Sequence, residues 1–80
     1  MKVRLLLFAH YRDLAGQDEL EFELPAGATA RELVSRLRLD PRLKALPAEP
    51  AIAVNQTYAA LNVGLADGDE VALIPPVAGG

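Results

Sequence analysis

The chain has 80 residues, 51% of them hydrophobic and 24% charged, with a formal net charge of -3. That length supports one small domain burying about 60 to 65% of its unfolded surface, too little for a deep internal active site, and the composition is that of a folded chain rather than a disordered one. The absence of cysteine excludes disulfides, thiolate metal sites and cysteine nucleophiles. The acidic balance argues against a nucleic-acid partner, and the lack of a signal-type start or a ~20-residue apolar run leads to the expectation of a cytoplasmic protein without a membrane partner.

In chain order, "KVRLLLFA" predicts a central strand over Lys2 to Ala9, buried on both faces because charge lies only near its start. "HYRDLAG" breaks that pattern, with Gly16 placed to end a single helical turn. "ELEFEL" alternates, setting Leu20, Phe22 and Leu24 against Glu19, Glu21 and Glu23, which predicts a strand with one wet side. Pro25 and Gly27 close it. "TARE" then opens a helix, Thr29 capping the exposed amides and Glu32 reaching back, with Ala30, Leu33, Val34 and Leu37 along the face that meets the sheet. Pro41, Pro47 and Pro50 punctuate residues 38–50, where "DPRLKAL" could form a short helix capped by Asp40. "AIAVN" predicts a short strand, Asn55-Gln56 a turn, "TYAALN" a further short or extended strand, Asp67-Gly68 a turn, and "EVALIP" the last strand. These elements describe one α+β domain, a sheet with a helix across one face.

Side chains suited to catalysis are scarce. His10 is the only histidine, and with no cysteine beside it we expect an ordinary loop residue. Ser35 falls within the helix, outside any nucleophile elbow. Asp67, Asp69 and Glu70 are best taken as a turn with solvated carboxylates rather than metal ligands, and no phosphate-binding glycine loop occurs. What remains is the terminal "IPPVAGG". Pro75 and Pro76 favour an extended exit from the sheet, and glycine fits a channel too narrow for other residues. Residues 75–80 span at most about 20 Å. Such a tail could carry its terminal carboxylate into a partner's active site, although composition alone favours a merely frayed end.

"FAHYRDLAG" at Phe8 to Gly16, "VNQT" at Val54 to Thr57 and "LADGDEVALIPPVAGG" at Leu65 to Gly80 together resemble the MoaD family, the small subunits of molybdopterin synthase. The resemblance covers nearly the whole chain in order, and "PPVAGG" behind "DGDEV" is its specific part. One departure is that the pair before the prolines, often aromatic in such proteins, is Leu73-Ile74 here. The resemblance implies a ubiquitin-like β-grasp, a mixed sheet around one main helix, over residues 1–74, with an extended Gly-Gly tail over 75–80. It also implies a sulfur carrier. A ubiquitin-activating-type enzyme would use ATP to adenylate Gly80, sulfur would replace AMP to give a thiocarboxylate, and the tail, Pro75, Pro76, Val77, Ala78 and Gly79, would thread into a MoaE-like large subunit within a heterotetramer. There sulfur would pass to cyclic pyranopterin monophosphate. No cofactor or metal would be bound by this chain itself. Two alternatives stay open: a carrier for thiamin or another thiolation pathway, and a β-grasp interaction module that is never activated.

In a β-grasp the first and last strands are neighbours. If Val3, Leu5 and Leu7 face the core, alternation sends Leu6 and Phe8 the other way, and Val71 and Leu73 inward send Ala72 and Ile74 outward. Leu6, Phe8, Ala72 and Ile74 are therefore the expected partner interface. The competing expectation is that residues 38–47, "RLDPRLKALP", cover that second face.

Overall fold

The computed structural model describes residues 1–76. Five strands and two helices occur in the order β1 (Lys2–Leu7), α1 (Ala9–Ala15), β2 (Glu19–Glu23), α2 (Ala30–Leu37), β3 (Ala51–Val54), β4 (Thr57–Ala59) and β5 (Glu70–Ile74). They form one mixed sheet ordered β2-β1-β5-β3-β4, in which β1 and β5 run parallel and the other neighbours antiparallel. This is the expected β-grasp, with both helices on one face. No described helix is long and apolar enough to cross a membrane.

The core follows from strand alternation. Val3, Leu5 and Leu7 from β1, Ile52 from β3, and Val71 and Leu73 from β5 are all buried against Leu33, Val34 and Leu37 of α2. Two expectations for β1 need correction. The strand is interior, but Lys2 and Arg4 are exposed and Leu6 is half-buried, so only one of its faces is covered. It also ends at Leu7, because Ala9 has φ 48, a left-handed conformation that breaks the pleat and starts α1. His10 consequently lies exposed on a helix rather than in a loop. Gly16 ends α1 at φ 78, its N–H donating to the Arg12 carbonyl.

The start of α2 is closed by three acceptors. Thr29 Oγ1 accepts from the Glu32 N–H at 3.3 Å, while the Ala30 and Arg31 amides donate to the carbonyls of Val63 and Leu61 at 3.0 and 2.8 Å. The exposed amides of a helix start are thereby satisfied. Among the described residues the Glu32 carboxylate makes no return bond to the Thr29 amide; residues 61–63 instead hold the next two amides.

Residues 38–50 form successive turns instead of the short helix considered for "DPRLKAL". Leu43 N–H donates to Asp40 O and Leu46 N–H to Leu43 O, each at 2.9 Å. A three-residue period places Leu43 and Leu46 on the same side, and both are 1% exposed within the core under α2. Asp40 does cap this segment: its carboxylate accepts the Arg42 backbone N–H at 2.8 Å and the Arg42 guanidinium at 3.0 Å. The segment lies on the helical side, so it leaves the opposite face of the sheet open.

Candidate functional site

The open face is built by register. Pairing across the sheet aligns Glu19, Leu6, Ala72, Ala53 and Tyr58 in one row. The next row toward the tail contains Ile74 opposite Ala51, with Phe8 one residue beyond the Leu7–Leu73 pair. Leu6 and Ile74 are half-buried, Ala72 is 9% exposed beneath its larger neighbours, and Phe8 and Tyr58 are 46% and 76% exposed. The four residues singled out from sequence, Leu6, Phe8, Ala72 and Ile74, thus share one surface. Ala51, Ala53 and Tyr58 extend it and were missed. Their signal was present in the Asn55-Gln56 turn, since a two-residue hairpin fixes Tyr58 opposite Ala53.

The face changes character along its length. Toward the start of β1, Arg4 bridges Glu19 at 3.2 Å and Glu70 at 2.7 Å, and Lys2 approaches Glu21 at 4.0 Å. These exposed pairs contribute little stability, on the order of 0–1 kcal/mol each. They do neutralise the polar half, leaving the apolar half beside the exit of β5.

The acidic turn before β5 is structural. Asp67 Oδ1 accepts the Lys2 N–H at 2.8 Å, Asp69 Oδ2 accepts the Ala66 N–H at 2.8 Å, and Asn55 Nδ2 donates to Asp69 Oδ1 at 3.0 Å. Gly68 takes φ 86 and donates to the Lys2 carbonyl at 2.7 Å. The turn therefore ties the β3–β4 hairpin and the start of β1 to β5. No group of three or more potential metal ligands occurs among the described residues, and Ser35 is exposed on α2.

β5 ends at Ile74, and Pro75 and Pro76 follow outside the strand. The remaining tail positions, Val77, Ala78, Gly79 and Gly80, lie outside the described residues. Pro75 is half-buried and Pro76 exposed, so the chain leaves the sheet at the apolar half of the open face. An apolar surface, a directed exit and a neutralised border are features suited to docking.

Known proteins match this chain in sequence and in fold. The chain is 39% identical, over an 83-residue alignment covering 100% of both proteins, to the molybdopterin synthase sulfur carrier subunit of Chlamydomonas reinhardtii. Its structure matches SAMP1 from Haloferax volcanii with a TM-score of 0.87 at 29% identity, covering 100% of both chains. It also matches a chain in the complex of subunits 1 and 2 of molybdopterin-converting factor from Helicobacter pylori, with a TM-score of 0.73 at 30% identity and 100% of both chains covered. The model of the ThiS family matches residues 5–80. The sequence resemblance and the fold thus converge, and the chain belongs to the ThiS family.

Proposed function

We propose that this chain is the sulfur-carrier subunit of a cytoplasmic molybdopterin synthase, formed by a β-grasp domain over 1–74 and a working tail over 75–80. The observation that carries the proposal is the end-to-end 39% identity to a protein named as such a carrier. The open apolar face beside Pro75 and Pro76 supports it, because a carrier must hold its domain outside a partner while its tail reaches in.

The proposed chemistry occurs at Gly80. An activating enzyme transfers AMP from ATP to the carboxylate, releasing pyrophosphate and making the carbonyl carbon electrophilic. A hydrosulfide equivalent attacks that carbon, the C–O bond to AMP breaks, and the products are a thiocarboxylate, AMP and a proton. The thiocarboxylate is ionised at neutral pH and its sulfur is a soft nucleophile, as in a thiolate. Pro75, Pro76, Val77, Ala78 and Gly79 carry it into a large subunit, where sulfur passes to cyclic pyranopterin monophosphate; two such donations build the dithiolene. Leu6, Phe8, Ala72 and Ile74 hold that subunit. The large subunit supplies the substrate pocket, and this chain supplies the transferred atom.

Intact-mass measurement after incubation with an activating enzyme, ATP and a sulfur source tests the first half of the proposal. The expected result is the mass gain of sulfur replacing oxygen, located on the C-terminal peptide. A chain that stays unmodified is a β-grasp interaction module and not a carrier. Molybdopterin formation in a mixture with the large subunit and the pterin precursor tests the second half, since a carrier for thiamin synthesis or another thiolation pathway gains sulfur but yields no molybdopterin.

A further inference from the structure

Between Pro47 and the root of the tail the surface sinks into a groove of about 500 Å³. Pro47 and Pro50 contribute to its walls, as do Pro75 and Pro76. Proline has no N–H, so these positions offer no donors along which another strand could be added.

Tyr11 is the buried one of the groove's two tyrosines. Its side chain belongs to the core and the residue is 4% exposed, yet it also lines the groove. Its hydroxyl makes no hydrogen bond among the described residues. A phenol is protonated at neutral pH, and burial pushes that of Tyr11 up from its ordinary value. Two other ionisable residues line the groove: Glu49, already bonded to Arg31 at 2.9 Å, and Tyr58, 76% exposed on the sheet face. Ala51, Tyr58 and Ile74 belong both to the groove and to the open sheet face.

We infer, resting on the large-subunit reading above, that this groove receives an extended segment of that subunit. An apolar side chain enters between the prolines, and the Tyr11 hydroxyl donates a hydrogen bond to a backbone carbonyl of the same segment. Continuity with the sheet face lets one partner cover both. A neutral carbonyl suits these apolar walls better than a charged acceptor, which would lose its hydration on entry. The groove thereby fixes where the tail enters the partner.

The test is calorimetric titration of the purified full-length chain with the large subunit from the same organism, accompanied by thermal melts. Tyr11→Phe keeps the ring and removes the donor; it should weaken binding about three- to ten-fold with the melting temperature unchanged. Pro47→Glu sets a carboxylate at the exposed groove mouth and should weaken binding more than about ten-fold. Phe8→Asp, on the sheet face, is the reference. If Phe8→Asp loses affinity while Tyr11→Phe and Pro47→Glu both bind like wild type, the groove inference is overturned and the large-subunit reading stands. Tighter binding by Tyr11→Phe also overturns it, by showing that the hydroxyl is better satisfied in the free chain. If the wild-type chain fails to bind, both the inference and the reading beneath it are wrong.

Discussion

Ala9 carries a backbone burden that its neighbours do not share. At φ 48 an L-residue is disfavoured by about 1–2 kcal/mol, and the turn it makes ends β1 and leaves Phe8 standing on the open face. Ala9→Gly should relieve that strain, offset in part by about 0.5–1 kcal/mol of unfolded-chain entropy. We therefore expect a thermal melt to show a rise of a few degrees, at about 4–8 °C per kcal/mol, whereas Ala9→Val should lower the melting temperature. Phe8→Asp belongs to the same corner but to a different property: its side chain is 46% exposed, so folding should survive. Affinity for the large subunit should fall by about 2 kcal/mol or more if Phe8 anchors the interface, and a titration giving wild-type affinity would remove it from that role. The outward direction of Leu6, Phe8, Ala72 and Ile74 was legible because a strand has a period of two. The kink at Ala9 was not, since nothing in "FAHY" marks a left-handed residue.

The β3–β4 hairpin and the turns after α2 show how local chemistry sets an element. Asn55 and Gln56 both have positive φ, 51 and 71, and asparagine accepts this more readily than glutamine. Gln56→Gly should stabilise the fold by about 1 kcal/mol, as an Asn-Gly pair suits such a hairpin, and denaturant titration would show it as a raised midpoint with an unchanged slope. Thr29→Ala, which removes the acceptor for the Glu32 amide, should cost about 1 kcal/mol. The Asp40–Arg42 cap predicts a pH effect. Hydrogen bonds from the Arg42 side chain, and then from its backbone, hold the Asp40 carboxyl below its ordinary value of 3.8. Its folded pKa is thus the lower one, and its contribution is present above the unfolded value and lost as pH falls through the folded one. Melting temperatures of wild type and Asp40→Asn should differ by a constant amount above about pH 5 and converge in acid. The helix and hairpin were readable from cap and turn residues. Residues 38–50 were not, because Leu43 and Leu46, three apart, suit a helical turn and a series of tighter turns equally; the two are separated only by what the leucines meet under α2.

For the whole molecule, the proposal divides stability from function at the tail. Adding one residue after Gly80 leaves no free glycine carboxylate to adenylate, so thiocarboxylate formation and molybdopterin yield should vanish while the melting temperature stays put. Gly79→Val should reduce sulfur loading steeply for a related reason, since a branched side chain adds bulk and excludes glycine-only backbone angles. Sulfur acquired at the original end of the extended chain, without prior trimming, would show the terminal-carboxylate chemistry to be wrong. The topology adds a mechanical consequence. β5 is hydrogen-bonded on both edges, in parallel to β1 and antiparallel to β3, and the tail continues from its end. A pull on the tail along the strand axis therefore loads both ladders in shear, so several bonds must yield together instead of opening one after another like a zipper. On the proposed reading, a partner can tug the tail out of a narrow channel without unravelling the domain that delivered it.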